Sequence, residues 1–199
     1  MLLPFISPLP KHYLFRNLLP MLAFDRIIDS GMDNHGIVTA AQARDLGVSY
    51  RVLSALVSDG RLLRRGYGVF KLAFFADPDG LDRYAEALAL AGPTARIHGE
   101  SVLAMLDLAL VNPSVVLTAV SRRIRRTLPP WVRLVHVPAA PTVLLRGIPC
   151  QPLADAFLAA LPAIPPDRLP PAIRRARSEG WLSATDATRL RKTIRESLL

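Results

Sequence analysis

The stretch GIVTAAQARDLGVSYRVLSALVSDGRLLRRGYGVFKL, residues 36–72, constrains this chain more than any other. Thr39 is placed to cap AAQARDL, because its hydroxyl can accept from an orphan N–H of the first turn. Gly47 can take the left-handed conformation that ends that helix and turns the chain sharply. Two residues on, Ser49 can cap a second helix, YRVLSALVSD, whose Val52, Leu53, Leu56 and Val57 form one apolar face. Gly60 closes it. RLLRRGYGVF then reads as a small hairpin, with Leu62, Leu63, Val69 and Phe70 in the strands, a turn at Gly66, and Arg64 and Arg65 at the tip. Helix, glycine turn, helix and tight hairpin spell a winged helix-turn-helix.

That fold sends its second helix into a DNA major groove and lays its hairpin, the wing, against the backbone or minor groove. On this reading Tyr50, Arg51 and Ser54 face the duplex beside the cap Ser49, with Arg51 best suited to read a base edge. Gln42 on the preceding helix reaches the backbone. Arg64 and Arg65 meet phosphates, where each neutralised charge adds affinity by releasing counterions. Winged helices also dock proteins, and two arginines in a turn are also compatible with plain solvation, so the sequence leaves that alternative standing.

The charge balance points the same way. The chain has 199 residues, a formal net charge of +9 and a pI near 10.7, which suits an anionic partner. The charge is spread: residues 1–75 carry 9 basic and 5 acidic side chains, leaving 16 and 11 for the remainder. Lysine occurs only at 11, 71 and 192, so nearly all of the positive charge is arginine. Cys150 is the one cysteine, which excludes an internal disulfide and suits a reducing, cytoplasmic setting. The histidines at 12, 35, 98 and 136 lack ligand spacing, so no metal site is expected. No apolar run is long enough to span a membrane. Prolines at 4, 8, 10 and 20 interrupt the apolar N-terminus. Residues 1–20 are expected to be a docking arm, or sequence upstream of a true start at Met21 or Met32. A helix is expected from Met21 to Ser30, ended by Gly31.

After Ala76, the turn DPDG marks a seam between a first domain over residues 21–75 and a second over residues 80–199. LDRYAEALALAG reads as a helix stopped by Gly92-Pro93. In ARIHGESVLAMLDLALVNPS, His98 and Ser101 invite comparison with a nucleophile pair. No glycine-flanked elbow or orienting carboxylate accompanies them, and the spacing suits a helix N-cap at Ser101 instead. VVLTAV, WVRLVHVPA and TVLLRGIPC read as strands. Between the first two, Arg122, Arg123, Arg125 and Arg126 bunch in a loop that is solvated, contacts nucleic acid, or docks an acidic partner. PLADAFLAAL is helical, PAIPPDRLPP a stiff connector, and AIRRARSEG and ATRLRKTIRESLL a closing helical hairpin with Ser183 and Asp186 as a capping box. Arg174, Arg175, Arg177, Arg189 and Arg191 lie on its exposed side. The expected class is therefore α+β: a winged helix-turn-helix, then a mixed α/β domain ending in a helical hairpin. No phosphate loop, metal constellation or acid–base carboxylate pair is present, so neither an enzyme nor a cofactor is expected.

The order GRLLRRGYGVFKL, HGESVLAMLDL, strand–basic loop–strand, GIPCQPLADA and ARSEGWLSATD resembles the AbiEi family of antitoxins. The wing pattern of that family falls at Gly66–Phe70, and its second-domain motif at His98–Leu103, with Gly99 replacing a larger residue. The resemblance covers about residues 35–195; the first 30 residues have no counterpart. It implies a bacterial toxin–antitoxin system in which the first domain binds operator DNA and represses the operon, compatible with a dimer on DNA. It also implies a second domain that antagonises a nucleotidyltransferase-like toxin, which makes Arg122, Arg123, Arg125, Arg126, Arg174, Arg175 and Arg177 the candidate toxin-binding set. Direct binding and indirect antagonism both stay open. The alternative is a plain winged-helix regulator whose second domain dimerises or senses.

Overall fold

The computed structural model describes the backbone of residues 11–197 and side chains from Leu22 onward. The first ten residues of the expected N-terminal arm lie outside the described residues. The chain divides into two compact units, one ending at Ala76 and the other beginning at Asp77.

In the first unit, helix α1 runs Lys11–Met32 and strand β1 Ile37–Thr39. Helix α2 spans Ala40–Asp45, helix α3 Tyr50–Ser58, strand β2 Leu62–Gly66 and strand β3 Val69–Leu72. Two details depart from expectation. α1 begins ten residues before Met21 and continues through Gly31, whose lack of a side chain lets Leu72 and Val38 close in: a Cβ there would sit 2.7 Å from Leu72 Cδ1. β1 is an extra strand, antiparallel to β3, giving the sheet order β1-β3-β2.

The local chemistry explains the two short helices. Thr39 Oγ1 accepts from Gln42 N at 3.2 Å, while Gln42 Oε1 accepts from Thr39 N at 2.8 Å, a reciprocal capping box. At the other end Gly47, at φ +75°, lets Val48 N reach back to Ala43 O, which satisfies a carbonyl the helix leaves open. Ser49 Oγ accepts from Val52 N at the start of α3, and Arg61 N closes its end on Leu56 O. The inner face of α3 is as the periodicity requires: Leu53 and Leu56 are buried, Val52 and Val57 half-buried. Burial of a leucine of this kind stabilises by roughly 2–3 kcal/mol. Those side chains pack with Ile27 of α1, Val38, Leu62, Phe70 and Leu72 into one core.

The second unit is a mixed sheet ordered β6-β5-β4-β8-β7 with helices around it. Its strands are β4 (Arg96–Ile97), β5 (Val116–Val120), β6 (Val132–His136), β7 (Val143–Leu145) and β8 (Ile148–Cys150). TVLLRGIPC is thus two strands, because Arg146 and Gly147 both adopt positive φ and fold the segment into a hairpin. The helices are α4 (Asp82–Ala91), α5 (Glu100–Met105), α6 (Leu153–Ala160), α7 (Leu169–Ser178) and α8 (Ala184–Ser197), with a 3-10 turn at Pro166–Arg168. Pro170 and Pro171 fall in the first turn of α7, where a missing N–H costs nothing, so the last three residues of the expected stiff connector are already helix, while 162–165 are not helical. Ser183 Oγ accepts from Asp186 N at 3.0 Å, the cap expected for α8. The α+β class with an N-terminal winged helix is what the chain adopts.

Ser101 is not the cap of α5. Gly99 holds that position, and its N–H donates to Gln151 Oε1 at 3.1 Å. Ser101 is wholly buried, and its Oγ accepts from Leu117 N at 2.8 Å, fastening α5 to β5. The hydroxyl is therefore committed to the fold. Burial, with Arg96 as a second cause, lowers the affinity of His98 for a proton, and burial pushes the Cys150 thiol up to about 12.

Candidate nucleic-acid interface

The inward residues of α3 fix which residues point out. With Leu53 and Leu56 committed to the core, the exposed set is Tyr50, Arg51, Ser54, Ala55 and Ser58. Four of these, at 51, 54, 55 and 58, recur at helical spacing and make one outer face. Three of the four are Ser or Ala, so the helix axis can approach a partner surface closely. Ser58 Oγ donates to Ser54 O at 3.1 Å, which turns that hydroxyl back onto its own helix.

The wing differs from expectation at its tip. Gly66 is the last residue of β2, and the turn is Tyr67-Gly68, with Gly68 at φ +66°. Arg64 and Arg65 therefore sit in the strand rather than at the tip. Arg64 pairs with Phe70 and Gly66 with Val69, which leaves Arg65 as the extra residue of a bulge. Both arginines are exposed.

Register then decides where Arg64 faces. Leu62 pairs with Leu72 and Arg64 with Phe70, and directly opposed residues share a face of the sheet. Leu62, Phe70 and Leu72 all belong to the core that α3 packs on. Arg64 leaves the sheet on that same side, past the edge of the core. Phe70 also meets Tyr50 edge to face, their ring centroids 6.2 Å apart and planes inclined at 62°. The N-terminal end of α3, with Tyr50 and Arg51, and the stem of the wing, with Arg64, are thus joined through one aromatic contact.

The other expected contacts are less free. Gln42 is half-buried and its side-chain oxygen is taken by Thr39 N and Thr39 Oγ1, leaving only its amide nitrogen to meet a partner. Ser49 is exposed, but its hydroxyl caps α3. Tyr67 was not singled out by its sequence position, yet at 80% exposed it is the most prominent large side chain of the wing. Its signal was available: an aromatic residue between two glycines at a hairpin tip has no core to enter.

In the second unit, Arg122, Arg123, Arg125 and Arg126 are all exposed in the loop between β5 and β6. Arg174, Arg175 and Arg177 are exposed on α7, a different element. Arg175 is already engaged: its Nη1 donates to Asp107 O at 2.7 Å and lies 3.1 Å from Asp107 Oδ2, and its Nε donates to Glu179 Oε1 at 2.7 Å. It works within the fold. Among the described residues no group of three or more His, Cys, Asp or Glu side chains could hold a metal ion, and no helix is long and apolar enough to cross a membrane.

Comparison with known proteins meets this geometry at one place. Residues 25–73, which run from α1 through the wing, match the family model described as transcriptional regulator, AbiEi antitoxin. No curated protein matches the chain at a significant level.

Proposed function

We propose, from the match of residues 25–73 to the family of AbiEi antitoxin transcriptional regulators, that this chain represses its own operon by clasping operator DNA with α3 and the wing. The observation that carries the reading is the Tyr50–Phe70 contact, which joins the N-terminal end of α3, where Arg51 is exposed, to the wing strand on which Arg64 pairs with Phe70. In this arrangement α3 enters the major groove, where Arg51 is the residue able to donate two hydrogen bonds to a guanine edge. Arg64 and Arg65 lie along the phosphates, and Tyr67 leads the wing tip. Gln42 and Ser49 cap α2 and α3 respectively and contribute backbone contacts only through the donors their caps leave over.

The second unit acts, on this proposal, as the antitoxin proper, neutralising a cognate nucleotidyltransferase-like toxin by direct contact. The exposed arginines 122, 123, 125 and 126, with Arg174 and Arg177, are the contact set. Their support is chemical: an enzyme that handles nucleotides presents acidic, metal-binding surfaces that a guanidinium cluster matches in charge. Arg175 is left out of the set because Asp107 and Glu179 hold it.

Two measurements separate the halves of the proposal. Arg51→Ala should bring operator affinity toward that for a random duplex, with the salt dependence little changed; unaltered discrimination would remove α3 as the reading element. Co-expression with the neighbouring gene product should relieve toxicity and give an isolable complex. Promoter binding without rescue or complex would leave a plain winged-helix regulator.

A further inference from the structure

Strand β4 buries a charge without pairing it. Arg96 is 5% exposed, yet no carboxylate meets its guanidinium among the described residues. Its one hydrogen bond runs from Nη2 to Pro138 O at 3.4 Å, long for such a contact, and its Nε has no partner. Two residues on, Nδ1 of His98 is buried and equally without a partner. The register shows that the two belong together. Arg96 pairs with Ala119 and Ile97 with Thr118, and His98 N continues the ladder to Leu117 O. Alternation then sends Arg96 and His98 to one face of the sheet and Ile97 to the other. Leu117 pairs in turn with Arg133 of β6, so Arg133 shares the row of His98. Ile97, Thr118 and Cys150 fill the core side. On the Arg96 side, His98 and Leu117 are half-buried and Arg133 is exposed. Arg96 is also close enough to His98 to disfavour its protonation.

We infer that Arg96 and His98, with Arg133 at the rim, form a binding site for a phosphate group. A buried guanidinium is tolerated where an anion or a full set of acceptors compensates it, and folded chains leave few buried donors unmet. Two orphaned donors, two residues apart on one face, call for a shared acceptor. An anion fits better than water, because water neutralises no charge. The number of donors selects the anion. Nε and Nη2 of Arg96 form a fork that takes two oxygens. A carboxylate held there turns both of its oxygens to the fork, whereas a phosphate keeps at least one more for Nδ1 of His98, with Arg133 supplying charge from the open side. Pro138 O, which the oxyanion replaces on Nη2, lies in the exposed segment between β6 and β7. Arg96 is enclosed, so the site takes a free phosphate or a terminal one; a nucleic-acid backbone phosphate, bonded on both sides, does not enter. The inference rests on the second unit alone and stands whether or not the first binds DNA.

Titration of the full chain with inorganic phosphate, against sodium chloride of matched ionic strength, tests it. The imidazole resonance of His98, identified by its loss in His98→Asn, should shift saturably with phosphate, and the Tm should rise with it as for any ligand of the folded state. Arg96→Met removes an unpaired buried charge, so it should melt at or above the native temperature without phosphate and should not respond when phosphate is added. Arg133→Ala changes an exposed position; it should fold as the native chain does and bind phosphate roughly tenfold more weakly. Adenosine 5′-monophosphate is the second probe. A response equal to that of phosphate assigns a terminal phosphate to the site, and a response to phosphate alone assigns the free ion. A His98 resonance and a Tm that follow ionic strength only, or an Arg96→Met chain that keeps the native response, would overturn the inference.

Discussion

Consider Arg64→Ala. The side chain is exposed, and it leaves the wing sheet on the side that packs on α3. Its removal opens no cavity, and stability should change by no more than about 0.5 kcal/mol. Its effect on DNA binding can be worked out from its charge alone. One neutralised phosphate contributes about 0.9 to the slope of log affinity against log salt. On counterion release alone, losing it weakens binding roughly 15-fold at about 0.05 M salt and roughly threefold at about 0.3 M. The factor should be the same on operator and random duplexes, because phosphates carry no sequence information. Arg64→Lys keeps the charge and should keep the native slope. Fluorescence anisotropy on the two duplexes, titrated across that salt range, measures all of this. Parallel native and Arg64→Ala salt lines would refute the reasoning, because they would mean that no phosphate sits at Arg64 in the complex.

Other substitutions probe different physics. Tyr67→Ala should lower operator affinity several-fold while leaving the salt slope unchanged, since an uncharged ring releases no counterion; a changed slope would contradict that assignment. Ser101→Ala removes the acceptor of the Leu117 N–H and leaves a buried donor without a partner, at a cost of about 1–3 kcal/mol, visible as a Tm several degrees lower. For His98 the sign follows from its lowered proton affinity: the unfolded chain, with the usual value of 6.5, takes up the proton more readily than the folded one. Stability present above that value is therefore lost as pH falls through it. Thermal melts between neutral pH and about pH 5 should show a steeper decline for the native protein than for His98→Asn.

How much of this could be read from the sequence depended on how local the deciding interaction was. Thr39, Ser49 and the inner face of α3 were legible because caps and helical periodicity act within four residues. Gly66 and Gly68 are equally permissive in sequence, so the sequence does not say which of them turns the wing; the bulge at Arg65, which shifts the register, is decided by pairing with β3. β1, only Ile37–Thr39, is too short for a period to show and exists because β3 offers it an edge. Ser101 looked like a cap because serine usually is one, but its partner is the N–H of Leu117, 16 residues on.

The arginines make the sharpest case, because in a chain this rich in them positive charge alone distinguishes nothing. Arg175 reads as a free cation on an exposed helix face until a carbonyl 68 residues away is found to hold it. Arg64 reads as a turn residue until its pairing with Phe70, which meets Tyr50 of α3, puts it in the strand on the side of that helix. The informative question for each guanidinium is therefore what the fold already asks of it. The arginines it does not use, Arg51 on α3 foremost, are those that remain available to an anion outside the protein.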